Sequence, residues 1–189
     1  MNGKKRAKLL LHVCCAPCAT ATVERLRGQY DVMAYFYNPN IFPREEHERR
    51  LAETARFCEA VGLPLEIGAY DPDAWLARTK DLQGEPEGGR RCRVCFDLRL
   101  RVAADYACRN GFDALAATLS ISPHKDAATI NELGELIGAE VGIEFLARDF
   151  KKRNGFRRSV ELSHEHGLYR QDYCGCAASL RERDLRLSG

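Results

Sequence analysis

Cysteine is the residue type with which this sequence can do the most chemistry. Nine of the 189 residues are cysteines, and seven of them fall into three short motifs: Cys14-Cys15-Ala-Pro-Cys18, Cys92-x-x-Cys95 and Cys174-Gly-Cys176. In a reducing compartment a disulfide framework is disfavoured, so this count indicates metal binding or redox chemistry.

The first motif stands where a strand gives way to a helix. The apolar residues 9–11 and 13 predict a buried strand, and Pro17 suits the first turn of a helix because its missing N–H needs no partner there. In an open parallel sheet, ligands bind at the edge where such strands end. A helix N-terminus also lowers the pKa of a thiol, so we expect Cys14, Cys15 and Cys18 to act readily as thiolates.

The spacing of Cys92 and Cys95 lets two sulfurs converge on one metal centre. Zinc sites, iron–sulfur sites and redox dithiols share this pattern. Adjacent cysteines such as Cys14 and Cys15 are less common as a zinc pair, because side chains of consecutive extended residues point apart. Four thiolates from the two motifs would satisfy a [4Fe–4S] cluster, which we favour; a zinc knuckle that pins the loop is the alternative.

The third motif, Cys174-Gly-Cys176, has a one-residue spacer that would make a small, strained disulfide ring. Gly175 supplies the backbone freedom to close that ring, and strained disulfides are the reducible kind. Two unrelated thiols, or two more metal ligands, are the alternatives. The remaining cysteines, Cys58 and Cys108, lie in predicted helices, and we expect them to be small core residues.

Alternating strands and helices must position these motifs. The pattern predicts strands at residues 9–14, 32–37, 65–67, 114–121 and 144–146, and helices at 19–27, 45–61, around 75, 95–109, 126–138 and 158–166, with a charged helix at the end. This order indicates one α/β domain, residues 1–189, with an open parallel sheet of about five strands and helices on both faces. Strand one is followed by no Gly-x-Gly-x-x-Gly, so an ordinary dinucleotide fold is not supported.

Charge and hydropathy restrict the location and the partners. The net charge is only +2, but basic residues cluster at 4–8, 90–93, 151–153 and 157–158. Their nearness to the cysteine motifs favours an anionic substrate, and a solvated surface is the alternative. Because no apolar run approaches 18 residues and no signal peptide is evident, we expect a cytoplasmic chain without membrane contact.

Five segments together resemble the QueH family of cobalamin-independent epoxyqueuosine reductases: LLHVCCAPC, YNPNIFPREEHERR, RRCRVCFDLRL, SISPHKD and GLYRQDYCGC, from Leu10 to Cys176. That family is similar in architecture to the HUP group (adenine nucleotide alpha hydrolase-like), which has a five-stranded parallel sheet. The resemblance therefore implies a HUP-like fold with a cysteine-rich metal site at the carboxyl edge of the strands.

The resemblance also implies an activity, the reduction of epoxyqueuosine to queuosine at the wobble position of the tRNA anticodon. The expected partners are tRNA carrying epoxyqueuosine and an external electron donor. Matching positions imply that Cys14, Cys15, Cys92 and Cys95 hold a [4Fe–4S] cluster. Cys174 and Cys176 look like a redox-active disulfide pair. Family members can hold a separate mononuclear iron at the position of Cys18, which makes Cys18 a further metal-ligating and catalytic candidate.

The chemistry is consistent with those roles, because turning an epoxide into an alkene and water consumes two electrons and two protons. A cluster passes electrons singly, a dithiol holds two, and a Lewis-acidic iron makes oxygen a better leaving group. Four residues are assigned to substrate phosphate or ribose: Ser122, His124, Lys125 and Arg170. An ordinary place in the first turn of a helix is the alternative for Lys125. Tyrosines are available to stack on the base, although some must be core: Tyr35, Tyr37, Tyr169 and Tyr173.

Two rival functions remain open at this stage. Another cluster-dependent tRNA-modifying enzyme on the same fold, such as a thiolation enzyme, would usually carry a Ser-Gly-Gly-x-Asp-Ser phosphate loop after strand one. Here residues 14–18 take that place and leave no glycine-rich cradle. The other rival is a zinc-stapled tRNA-binding module, which metal analysis would distinguish from a reductase.

Overall fold

A computed structural model describes residues 6–188, and in it five strands form one parallel sheet. The strands are β1 (Ala7–His12), β2 (Tyr30–Phe36), β3 (Leu65–Ile67), β4 (Ala114–Ala117) and β5 (Glu144–Phe145), and their order in the sheet is β3-β2-β1-β4-β5. The predicted open parallel sheet is confirmed. Lys4 and Lys5, which belong to the first predicted basic cluster, lie outside the described residues.

Seven α-helices connect or follow these strands within residues 6–188: α1 (Ala16–Leu26), α2 (Arg44–Ala60), α3 (Pro72–Thr79), α4 (Arg90–Arg109), α5 (Ala127–Val141), α6 (Gly155–Glu165) and α7 (Ala177–Leu187). Short 3₁₀ turns occur at Lys80–Leu82 and Thr118–Ile121. In this part of the chain, no helix has both the length and the apolar character that crossing a membrane requires.

The two faces of the sheet carry separate apolar cores because strand side chains alternate in direction. Leu9 and Leu11 of β1 pack with α1, α2 and α6 on one face. Leu10, between them, packs with α4 and α5 on the other face. Helices therefore cover both faces, as the sequence predicts.

The register of β1 and β4 brings two loops to the same edge of the sheet. His12 of β1 lies opposite Ala117 of β4, so the residues that follow both strands meet there. The backbone N–H of Cys14 donates to Thr118 Oγ1 at 3.3 Å. This contact joins the cysteine loop to the turn after β4.

Three boundaries near this edge differ from the sequence prediction. β1 ends at His12 and not at residue 14, and β4 ends at Ala117, where a 3₁₀ turn replaces the predicted strand. α4 begins at Arg90 and not at residue 95, so Cys92 lies inside the helix together with Cys95. Cys58 is buried as expected, but Cys108 is exposed, and its assignment to the core was wrong.

A cysteine-rich candidate active site

Cys14, Cys15 and Cys18, which we call the thiol triad, converge at the N-terminus of α1. Their sulfur atoms all lie within 4.8 Å of one another, and those of Cys14 and Cys15 are 3.8 Å apart. The adjacent pair can converge because the strand has already ended at His12 and Cys15 is the N-cap of α1. Among the described residues this grouping of potential metal ligands is entirely thiol. Soft sulfur donors suit iron–sulfur clusters or zinc, so the residues present fit a metal centre of this kind.

The three thiols of the triad do not titrate alike. Hydrogen bonding with Cys15 and Cys18 lowers the pKa of Cys14, and the charges of Lys125 and Arg99 act in the same direction. The interaction with Cys14 raises the pKa of Cys15 to about 12, and that of Cys18 is also raised. Because closely packed thiols share one negative charge, these pKa shifts indicate one ready thiolate in the triad and not the three that the sequence predicts.

A second group of sulfurs comes from α4 and the segment before α7: Cys92, Cys95, Cys174 and Cys176, which we call the thiol quartet. Cys95 and Cys176 pack together beside Trp75. The Cys92 sulfur accepts a hydrogen bond from the Gly88 N–H at 3.2 Å. Burial raises the pKa of Cys92 to about 11 and also raises the pKa of Cys95, and the charge of Cys174 raises both further. The quartet therefore brings together two motifs that are 80 residues apart in sequence.

Two cavities lie beside these sulfurs, and the smaller one is lined by members of both groups. One of about 260 Å³ is lined by Cys92 and Cys174, and one of about 210 Å³ is lined by Cys18 and Cys174. Both cavities also have His124 and Lys125 in their walls. A group placed against Cys174 and Lys125 can thus be approached from both sets of sulfurs.

The residues assigned to substrate binding border these cavities. Ser122 lines the smaller cavity, and its Oγ accepts a hydrogen bond from the His124 N–H at 3.3 Å. The pKa of Lys125 is raised above its ordinary value. Burial acts to lower this pKa, but the negative charges of Cys174, Cys14 and Cys18 have the larger combined effect. Arg170 is exposed, donates to Ser163 Oγ at 3.3 Å, and lines a neighbouring cavity with Cys18.

Residues 173–176 are held in place by α2. Arg50 donates from Nη1 to the Cys174 carbonyl at 2.9 Å and from Nη2 to the Tyr173 carbonyl at 3.2 Å. Gly175 has a φ of +134°, a value that favours glycine. Cys174 is half-buried and Cys176 is buried, where its sulfur accepts from the Ser179 N–H at 3.4 Å. Both are free thiols here, as are the other seven cysteines.

The four tyrosines proposed to stack on the base occupy different places. Tyr35 is buried and stacks between Tyr37 and Tyr106, with ring centroids 6.3 and 4.7 Å away. Tyr169 donates from its hydroxyl to Glu46, while Tyr173 lines the smaller cavity. Of the four, Tyr173 alone borders either of the two cavities between the triad and the quartet.

Several residues that support the sulfurs were not predicted from the sequence. Gln171 Nε2 donates to the Cys15 sulfur at 3.0 Å, and Thr118 accepts from the backbone of Cys14. Gln171 and Arg50 lie within segments that carry the family resemblance, which is the only sequence signal for them. Thr118 has no local signal, because its role depends on the register between β1 and β4.

Comparison with known sequences gives matches over nearly the whole chain. A protein-family model described as epoxyqueuosine reductase QueH matches residues 9–182. An epoxyqueuosine reductase QueH from Streptococcus pyogenes serotype M1 is 44% identical over 188 residues, which cover 95% of this chain and 74% of that protein. The epoxyqueuosine reductase QueH of Thermotoga maritima is 35% identical over 178 residues, covering 93% of this chain and 91% of that protein. The match to the family model includes all three cysteine motifs.

Solved structures with a similar fold come from tRNA-modifying proteins. The U34-tRNA thiolase NcsA from Methanococcus maripaludis, with its [4Fe–4S] cluster, has a TM-score of 0.57 at 14% identity, covering 98% of this chain and 67% of that chain. A predicted subunit of tRNA methyltransferase from Methanocaldococcus jannaschii has a TM-score of 0.54 at 12% identity, covering 83% of this chain and 75% of that chain. At these identities the likeness concerns the fold alone, and it agrees with the open parallel sheet covered by helices.

Proposed function

The chain belongs to the epoxyqueuosine reductase QueH family, and on that premise we propose how its cysteine-rich sheet edge serves the reaction. It is an oxidoreductase that reduces epoxyqueuosine to queuosine in the tRNA anticodon, the last step of queuosine biosynthesis. The observation that carries the proposal is that the triad and the quartet open on cavities with common walls, Lys125 and Cys174. One sheet and one family match also support a single reductase domain over residues 1–189.

Cys14, Cys15, Cys92 and Cys95 are proposed to hold a [4Fe–4S] cluster. Four thiolates are the ligand set that such a cluster takes. Three of the four, Cys14, Cys15 and Cys92, pack in the same buried apolar core, and Cys95 follows Cys92 on the same face of α4. When bound, the cluster supplies electrons one at a time.

Cys18 has a separate role in the proposal. Its sulfur belongs to the triad, but Cys18 is half-buried and borders the smaller cavity, whereas Cys14 and Cys15 are buried. We assign Cys18 to the catalytic set: its thiolate would be a ligand of a second, mononuclear iron, which would act as a Lewis acid. Its raised pKa means that metal binding there must displace a proton.

Cys174 and Cys176 are proposed to supply the electron pair. Opening the epoxide to an alkene and water takes up two electrons and two protons, and closing two thiols to one disulfide releases the same numbers. Cys174 stands in the wall of both cavities, with its carbonyl held by Arg50. After each turnover an external reductant, itself oxidised by two electrons, reopens the disulfide.

The substrate is proposed to enter against the loop after β4. Lys125 keeps its proton among the sulfurs, so it can hold an anionic group or hydrogen-bond to an oxygen. Ser122 and His124 border the same cavity, and Arg170 lies at its neighbour. These contacts are ones that a nucleotide of tRNA, with its phosphates and ribose hydroxyls, would use.

Metal and sulfide analysis of anaerobically prepared protein tests the cofactor. We expect about four irons and four sulfides for the cluster, with further iron if the site at Cys18 is filled. Serine at position 14, 15, 92 or 95 should remove most of this iron. Cys18→Ser should retain the sulfide, and Cys108→Ser is the matched control on the exposed end of α4. Stoichiometric zinc without sulfide would instead support the zinc-stapled module.

Conversion of tRNA that carries epoxyqueuosine tests the electron pair. Cys174→Ser and Cys176→Ser should keep the iron and sulfide but abolish conversion, because neither variant can close the disulfide that supplies the electron pair. If either variant loses its iron, the residue is a metal ligand and not part of a redox pair. If both keep full turnover, the dithiol is dispensable.

A further inference from the structure

Arg99 of α4 is a buried cation without a carboxylate partner. Its exposed fraction is 2%, and none of the ion pairs among residues 6–188 includes it. Burying an unpaired guanidinium is strongly unfavourable, so a fold retains one only where something negative compensates it.

The hydrogen bonds of Arg99 are also incomplete. Nη2 donates to Asn38 Oδ1, and Asn38 is fixed by its own bond to the Val13 carbonyl at 3.0 Å. Nε is buried and has no hydrogen-bond partner within the described part of the chain. The neutral Asn38 amide positions the guanidinium but leaves its charge uncompensated.

The other two fully buried arginines have carboxylate partners that compensate their charge. Arg50 pairs with Glu46 at 2.6 Å, and Arg91 lies 3.4 Å from Glu182. Both also donate to backbone carbonyls. Arg99 is the exception among the three, so its counter-charge must come from a group other than a carboxylate.

Sulfur is the negative group within reach of Arg99. Cys92, Cys95 and Arg99 follow one another at positions i, i+3 and i+7, which share a face of α4. Asn38, which accepts from Arg99, also donates to the carbonyl of Val13, the residue before Cys14. Arg99 is therefore connected to the segments that carry both the triad and the quartet.

We propose that Arg99 is the built-in counter-charge of the thiolate-ligated centre and that it raises the reduction potential of that centre. The inference rests on the proposed [4Fe–4S] cofactor. A centre held by four thiolates is already anionic, and accepting an electron adds one more negative charge. A fixed cation in a low-dielectric interior stabilises the reduced form more than the oxidised form. Arg99 is thus a positioning and tuning residue, which acts on the centre through charge.

Potentiometric titration of the anaerobically prepared, cluster-loaded protein tests this role. Arg99→Gln should lower the ratio of reduced to oxidised centre at least tenfold at a fixed potential, which is a shift of about 59 mV for one electron. Arg99→Lys keeps the charge and should stay close to the parent. The control is Arg101→Gln on the same helix, whose guanidinium pairs with Asp97 and Glu140 and whose loss should leave the potential unchanged.

Asn38→Asp is the second variant, and it tests the proposed effect on the reduction potential even if Arg99→Gln does not fold. It places the missing carboxylate beside Arg99 while the guanidinium stays, so the potential should again fall. An unchanged potential in Asn38→Asp, or equal potentials in folded Arg99→Gln and Arg99→Lys, would overturn the inference. If the parent protein itself holds no iron and sulfide, the cofactor proposal fails first, and the two failures are therefore distinguishable.

Discussion

Gly175 fixes the course of the chain between the two sulfurs of the last motif. Its φ of +134° is rarely adopted by other residues, and a Cβ there would lie 3.1 Å from Arg50 Nη1 and from Ile41 Cγ1. We expect Gly175→Ala to cost about 1–3 kcal/mol of stability. It should also reduce turnover while leaving the iron content intact, because the proposed ligands are elsewhere. Urea unfolding and iron analysis measure the two effects.

Gly28→Ala is the matched control for Gly175→Ala. No atom of residues 6–188 lies within 4 Å of a Cβ placed at Gly28, and the φ of Gly28 is not in the positive range. Its stability and turnover should match the parent. Equal behaviour of the two alanine variants would show that the backbone at Gly175 can relax without consequence.

His47 makes stability depend on pH. Burial lowers its pKa to about 4, and the charges of Arg44 and Arg50 act in the same direction. In the unfolded chain the pKa returns to about 6.5, so between these values the unfolded state binds more protons and stability falls as the pH falls. From pH 7 to 4.5 the parent should lose about 1–2 kcal/mol more than His47→Gln, as measured by urea unfolding. If stability falls with pH equally in the two proteins, His47 has the same pKa in the folded and unfolded states, and the predicted lowering of its pKa is wrong.

Residue types and spacing were enough to single out the cysteine motifs as candidates but did not give the pKa values of their thiols. A helix N-terminus acts on every thiol near it, so the sequence predicts three thiolates in the triad. Mutual contact reverses this for Cys15 and Cys18, and such contact depends on where β1 ends. The sequence also did not predict that Arg99 lacks a carboxylate partner, because that depends on which residues the fold places around it.

At the scale of elements, periodicity predicted the strands and helices well and their ends less well. β3 has the predicted bounds, and the two longest helices, α2 and α4, were both found. The errors concentrate around the site: β1 and β4 end early, and α4 begins early. These ends are set by tertiary contacts such as that between Cys14 and Thr118, which no local pattern reports.

α2 anchors the last cysteine motif through Arg50. The planar guanidinium reaches the carbonyls of Tyr173 and Cys174 together, a geometry that the single ammonium of lysine cannot reproduce. Arg50→Lys should therefore free residues 173–176, at a cost of about 1–3 kcal/mol for the carbonyls left unpaired. Hydrogen exchange should become faster at the Gly175 amide and remain unchanged at residues 166–168.

Arg56→Lys gives the reciprocal control from the same helix. Arg56 donates to the carbonyls of His166 and Gly167 at 3.1 and 2.9 Å, just after α6. Its replacement should speed exchange at residues 166–168 and leave Gly175 protected. If each variant speeds hydrogen exchange at both Gly175 and residues 166–168, α2 stabilises the two segments together. Arg50 would then not be specific for the last cysteine motif.

At the scale of the whole molecule, ion pairing decides which basic residues are available to a nucleic acid. Arg157 pairs with Glu161, and Arg158 contacts Glu24 and Glu165. Lys151 pairs with Asp149. These pairs favour the solvated-surface alternative for residues 157–158. Arg170 and Arg186, by contrast, border cavities at the site and take part in none of the ion pairs among residues 6–188.

We therefore expect Arg170 and Arg186 to contact tRNA phosphates. Each phosphate contact contributes roughly 0.7–0.9 to the slope of log affinity against log salt. The double variant Arg170→Gln/Arg186→Gln should weaken tRNA binding and reduce that slope by about 1.4–1.8, with iron content unchanged. Arg157→Gln/Arg158→Gln removes the same charge from paired positions and should change the slope much less. Filter binding or fluorescence anisotropy over a salt series measures both variants. A larger loss in the 157–158 variant would place the tRNA on the α6 side of the molecule instead.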